Sequence, residues 1–473
     1  MRSYLWSPWR TAAADASRVA VIAGPESCTF GELTERADAL GRGLREQGLP
    51  DGCILSTDIR TGPGFFALAL TALAYGYGLF PVEDGLLRSA AGPRLLSEMG
   101  VALHVTAGPA RAGSLPVRTV SDESLADAGS RGSASAPRVP AGYLAFATSG
   151  TTGVPRGVPR VRPGHPYLGV AVESRYAAGP SVGPHLMANP TYHLGTLGPA
   201  LYALQAGSAV VVQRHWSPQE FVLLADCHNV ASTMLSPDLL VDIVAAGSAP
   251  ARSLKAVFHG GAACPPAIKR AAVDLLGPVL HEYYGTSRSI LTEIDTIQWL
   301  DHPGSVGRAL PGITLTVERD GTPVPPGVPG EICARLRRAD STSVDDRVLR
   351  TGDLGYLDDD AYLYILGRAD EQDGWLEALL EHLVRQLPGV TDVVVIDASG
   401  TGDPELICHV ETRTPEGATE LVQAIGVAAT AQGLPVPQIV AHPRGTLPRT
   451  PSGKIRRTAL TSGVMEDRQG QPQ

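Results

Sequence analysis

The sequence predicts an α/β protein: a large N-terminal domain of layered, mostly parallel sheets with helices and a β-rich subdomain, then a small C-terminal α/β domain. Three observations lead there. Apolar strand-like runs alternate with helical runs through most of the chain, the texture changes near residue 312 to short β runs broken by turns, and two strand-like runs and a helical one follow. A chain of 473 residues, 43% hydrophobic and 18% charged, can bury a sizeable core and divide into more than one unit.

VAVIAG at 19–24 reads as a strand and FGELTERADALGRGLREQG at 30–48 as a helix. GFFALALTALAYGYGLF at 64–80 reads as a buried core helix, because it is shorter than the roughly 20 residues of a membrane span and is interrupted by glycines. SDESLADAGSRGSASAPRVPAG at 121–142 has no periodicity and reads as a surface loop. An amphipathic stretch near residue 200 precedes the strand AVVVQR. ITLTVERDGTPVPPGVPGEICARL and DLGYLDDDAYLYILGRAD make the β-rich part. A boundary after it divides the chain into 1–368 and 369–473, where TDVVVID and ELICHVETR read as strands and ATELVQAIGVAATAQG as a helix. The second part has ordinary domain size.

The formal net charge of -9 and the scattered arginines argue against a nucleic-acid surface, while anionic small ligands remain open through local sites. Cys28, Cys53, Cys227, Cys264, Cys333 and Cys408 lie far apart, without a CxxC pair or a histidine at zinc-ligand spacing, and read as reduced thiols. MRSYLWSPWR lacks the apolar core and cleavage site of a signal peptide. The expectation is a cytoplasmic protein with neither a nucleic-acid nor a membrane partner.

LAFATSGTTGVPRG at 144–157 begins as an apolar strand and becomes a run of hydroxyls and glycines. Thr148, Ser149, Thr151 and Thr152 offer donors, and Gly150 lets backbone N–H groups converge on an anion, so the loop could cradle phosphates. Taken alone it is equally a flexible turn. GxxxxGK[ST] is absent, so it is not a Walker A loop.

ATSGTTGVPRG is followed in order by PTYHLG at 190–195, HGGAA at 259–263, YYGTSRS at 283–289, SVGRALPG at 305–312, RTGDLGYL at 350–357, GRAD at 367–370 and PRTPSGKIRR at 448–457. This series closely resembles the adenylate-forming superfamily of acyl-CoA and aryl-CoA ligases, peptide-synthetase adenylation domains and luciferases. The resemblance covers nearly the whole chain. It implies activation of a carboxylate as acyl-AMP with Mg-ATP, then transfer to a thiol after a small, mobile C-terminal domain rotates.

The resemblance also implies site residues. Asp353 is acceptor-only when ionised and can take both ribose hydroxyls, while Arg368 offers a fork toward the same sugar or the phosphate. Outside that context either is an ordinary surface ion-pair partner. Gly260 and Gly261 look like a flat ledge for adenine, Ala262 continues it, and Tyr284 stacks there, with Gly285, Thr286 and Ser287 completing that wall of the nucleotide site. His193 stands where the family meets the substrate carboxylate or gates the thiol tunnel. Lys454, on a Pro/Gly-bounded loop, would bring a point charge to the carboxylate and α-phosphate.

Two departures are visible. Where the family carries the glutamate that helps hold Mg²⁺, this chain has Arg288. A divalent ion and a guanidinium about 5 Å apart repel by about 7 kcal/mol at an effective dielectric of about 20. Alternatively Arg288 faces solvent or pairs with phosphate, and Glu293 serves as the ligand. Arg156 replaces the usual lysine of the phosphate loop, keeping the charge in a different geometry. After GRAD, EQDGWLEALLEHL runs almost directly into a helix, several residues short of the family's K-x-x-G-x-x-I loop, with Gly374 the one candidate for its glycine.

Three functions follow from this reading. The first is an enzyme for the second half reaction, acyl-AMP and coenzyme A giving acyl-CoA and AMP, because thiolysis of a mixed anhydride chiefly needs positioning whereas adenylation needs the metal. The second is a complete ligase with rearranged metal coordination, and the third a non-catalytic nucleotide or acyl-adenylate binding protein. The ligands implied are the AMP moiety of acyl-AMP or ATP, and coenzyme A or a pantetheinyl carrier protein, with a separate adenylating enzyme as a partner of the first function. No metal ligand is assigned and Mg²⁺ stays open. Gly260, Gly261, Ala262 and Ala263 permit a roomy, apolar acyl pocket without naming the acid.

Overall fold

The computed structural model describes residues 7–107, 115–130, 142–147, 156–160, 183–188, 194–250, 254–286, 289–336, 348–368, 375–399, 405–412, 418–449, 455–457 and 459–460. The chain forms two compact units, one of Met1–Gly150, Val154–Leu235 and Pro250–Val257, the other of Thr151–Gly153, Ser236–Ala249 and Phe258–Gln473. The α/β fold expected from the sequence is the fold observed.

The first unit holds two sheets. One runs, in spatial order, Thr119–Ser121, Val101–Thr106, Ile54–Thr57, Gly78–Pro81, Tyr143–Ala147, Gly157–Arg160, parallel except for the last pair. The other places Ser232–Leu235, His185–Met187, Val210–Val212 and Val19–Ala23 in parallel, with Glu26–Thr29 antiparallel at its edge. Three helices supply much of the core: Phe30–Glu46, Pro63–Tyr75 and Leu194–Gln205. Phe30–Glu46 starts in a capping box, Thr29 accepting from the Glu32 backbone while the Glu32 carboxylate accepts from that of Thr29.

Three readings need correction. The run at 64–80 is the buried helix Pro63–Tyr75 followed by a strand, Gly78–Pro81, because Gly76 turns the chain at φ 86°. The stretch near 200 is not amphipathic: from Thr196 to Gln205 every residue but Tyr202 is buried. The supposed loop at 121–142 begins with the helix Asp122–Ser130, which buries Leu125 in the core and packs closely on Phe30–Glu46 at its glycines. A Cβ on Gly129 would stand 1.8 Å from the Ala39 carbonyl oxygen, and one on Gly43 2.0 Å from that of Leu125. Two glycines thus bring the helices together without the apolar stripe that would have announced them.

The second unit carries the antiparallel strands Leu280–Gly285, Ile290–Asp295 and Arg308–Ala309. A five-stranded antiparallel sheet runs Thr322–Pro323, Ile313–Arg319, Gly330–Leu336, Leu349–Leu357, Leu363–Arg368. A three-stranded sheet joins Val390–Asp397, Leu406–Thr412 and Gln438–Pro443 around an apolar core shared with the helices Trp375–Arg385 and Ala418–Ala431. All six cysteines are free thiols. Among the described residues no helix is long and apolar enough to cross a membrane.

Candidate active site

Tyr284, Asp353 and Arg368 come from three strands and meet. The Tyr284 hydroxyl donates to Asp353 Oδ2 at 2.6 Å and Arg368 Nη1 donates to Asp353 Oδ1 at 2.9 Å. Asp353 and Arg368 are register partners on the antiparallel strands Leu349–Leu357 and Leu363–Arg368, so the ladder itself sets their ion pair. The Asp353 backbone N–H is fixed by Thr351 Oγ1 at 3.1 Å. Burial, and then the Asp353 charge, push the Tyr284 phenol above its ordinary pKa, so it stays a donor.

HGGAA leaves the strand Ala256–Gly260 with Gly261, Ala262 and Ala263 exposed. Gly260 is required by a close approach: a Cβ there would lie 2.4 Å from the Tyr283 carbonyl oxygen on the neighbouring strand. Gly261 follows at φ 83°. Gly285 and Thr286 shape the turn after Tyr284, where the Thr286 N–H donates to the Ser289 carbonyl at 2.9 Å. Ala262 and Ala263 border a cleft of about 380 Å³ whose walls also carry charge: Arg449 pairs with Asp392 and Glu411 and Arg444 with Asp242.

Thr148, Ser149, Gly150, Thr151, Thr152, His193, Ser287, Arg288, Gly374 and Lys454 lie outside the described residues. Arg156 is exposed beside the strand Gly157–Arg160. Glu293 lies on Ile290–Asp295 with its carboxylate 3.7 Å from His281 Nδ1.

One cluster beside this site was not read from the sequence. Lys269, 1% exposed on the helix Pro266–Leu276, donates to Glu282 Oε2 at 2.6 Å and sits 4.8 Å from the centroid of the Trp299 ring. Fully buried His259 lies 4.0 Å from Glu282. Removing one partner of such a pair typically costs about 3 to 5 kcal/mol. Its faint signal was a lysine next to the buried Ile268 in AIKRAAVDLL, but the glutamate 13 residues on carried no hint of pairing.

A family model described as "AMP-binding enzyme" matches residues 8–338. The chain belongs to that family, within the adenylate-forming superfamily. The sulfoacetate–CoA ligase of Cupriavidus necator is 29% identical over 491 residues, covering 91% of this chain and 92% of the relative. The 2-succinylbenzoate–CoA ligase of Bacillus subtilis is 25% identical over 243 residues, 47% of this chain and 48% of that one. The solved O-succinylbenzoate coenzyme A synthetase of Bacillus subtilis, in complex with ATP and magnesium ion, superposes with a TM-score of 0.77 at 20% identity, covering 96% of this chain and 99% of its own. These curated relatives, both named CoA ligases, are what the chain is similar to within that family.

Proposed function

We propose that this family member performs the thioesterification half reaction, acyl-AMP and coenzyme A giving acyl-CoA and AMP, with ATP-dependent adenylation impaired. The observation that carries the reading is Arg288 in YYGTSRS. A guanidinium has no lone pair for a metal, so Arg288 supplies no ligand at the position where the family carries its glutamate. No step is therefore routed through a divalent ion.

In the proposed reaction the Asp353 carboxylate receives the ribose hydroxyls, with Tyr284 and Arg368 holding it still. Gly260, Gly261 and Ala262 supply the adenine ledge. Thr148, Ser149, Gly150, Thr151, Thr152, Gly285, Thr286 and Ser287 surround the phosphate side, and His193 stands at the acyl and thiol end. The sulfur of coenzyme A bonds to the acyl carbon, the bond from that carbon to the phosphate oxygen breaks, AMP leaves, and the thiol proton passes to solvent. The segment 369–473 is the mobile small domain carrying Lys454, a pantetheinyl carrier protein is the alternative thiol, and a separate enzyme supplies the adenylate.

A complete ATP-dependent ligase is the second reading. It is favoured by the retained Lys454 and by the ligase names of the relatives. Arg288→Glu separates the two. It reverses the local charge by two units and restores an oxygen ligand, so acid-dependent pyrophosphate exchange with Mg-ATP should appear where the wild type shows none. Exchange that is robust in the wild type and unchanged in the variant would establish the complete ligase.

A further inference from the structure

The buried charges beside the ledge have no task in the proposed reaction. An ammonium is costly to bury unless paired, yet the chain keeps Lys269 on a helix face whose neighbours Ile268 and Ala272 are buried and apolar. Its partner Glu282 is 5% exposed and precedes Tyr284 by two residues, hence lies on the same face of the strand Leu280–Gly285. The adjacent strand carries Gly260, whose missing side chain admits the Tyr283 carbonyl. Any shift of the tyrosine strand is therefore felt at the ledge.

We infer that Lys269 is a positioning residue for the nucleotide ledge, holding Tyr284 and Gly260 in place through its ion pair with Glu282. The inference rests on the nucleotide-site reading above. Its electrostatics follow from the groups around the pair. Lys269 and Glu282 cancel, and His259 is kept neutral by burial and by the nearby Lys269 and His281 charges. Arg270 also lies near the Trp299 indole, 5.6 Å from the ring centroid, and Cys264 and Asp392 are further titratable neighbours. Without Lys269, Glu282 becomes a lone buried carboxylate.

The test is AMP affinity by calorimetry, with circular dichroism and melting temperature as controls, on the wild type, Lys269→Met, Lys269→Arg and the double variant Lys269→Met with Glu282→Gln. From about pH 6 to about pH 9 the titration of AMP itself cancels in the variant-to-wild-type ratio. Lys269→Met should bind AMP about tenfold more weakly than the wild type at every pH, since the tie to Glu282 is lost throughout. Lys269→Arg should stay near the wild type. The double variant should regain the melting temperature but remain weakened at every pH, since the charge is gone and so is the tie. A Lys269→Met that binds normally at all pH values would overturn the inference. So would a double variant that regains affinity together with stability, because the pair would then be structural only. If Lys269→Met does not fold, the double variant alone decides. A wild type that does not bind AMP would overturn the nucleotide-site reading and this inference together.

Discussion

Two polar triplets in this protein share a hydrogen-bonding logic and differ in access. In the first unit Ser56 Oγ lies 2.8 Å from His104 Nδ1 and Asp58 Oδ1 3.5 Å from His104 Nε2, the order of nucleophile, base and orienting acid. Ser56 is 0% exposed and His104 1%, so no substrate can arrive. In the second unit Tyr284, Asp353 and Arg368 form a comparable set, but the Arg368 side chain is 47% exposed. Constellation without access stabilises a fold; constellation with access can hold a ligand.

Substitutions at the two triplets should therefore part company. Asp353→Ala should weaken AMP or acyl-AMP binding most, by about 1.5 to 3 kcal/mol, because two buried ribose hydroxyls lose a charged acceptor. Unchanged affinity in calorimetry would remove Asp353 from the site. Tyr284→Phe keeps the ring and loses only the donor to Asp353, for about 1 kcal/mol. Because burial and Asp353 raise the Tyr284 pKa, the protonated donor persists above the ordinary value, and wild-type affinity should show no tyrosine-linked loss up to about pH 10. An alkaline loss well below that, absent in Tyr284→Phe, would contradict the assignment. Ser56→Ala should leave AMP affinity untouched while lowering stability by about 1 to 3 kcal/mol, since His104 Nδ1 loses its buried partner. Lost binding in a folded Ser56→Ala protein would mean that the sealed triplet matters to the site after all.

The same contrast governs how much could be read from the sequence. Particular residue types in short runs made HGGAA, YYGTSRS, RTGDLGYL and GRAD stand out, and the structure brings Tyr284, Asp353 and Arg368 into hydrogen-bond contact. Strands and helices followed from apolar periodicity, as in Val19–Ala23 and Phe30–Glu46. The helix Asp122–Ser130 escaped because its packing relies on what Gly129 and Gly43 lack, a signal without periodicity. The Lys269–Glu282 pair escaped because burial, not residue type, makes it notable, and burial is a product of the fold.

The half-reaction reading stands or falls on how the unaltered protein divides the two steps. Supplied with synthetic acyl-AMP and coenzyme A in the presence of a metal chelator, it should form acyl-CoA and AMP, and with the corresponding acid and Mg-ATP it should show no pyrophosphate exchange. Robust exchange, or silence toward acyl-AMP across a panel of adenylates, would contradict it.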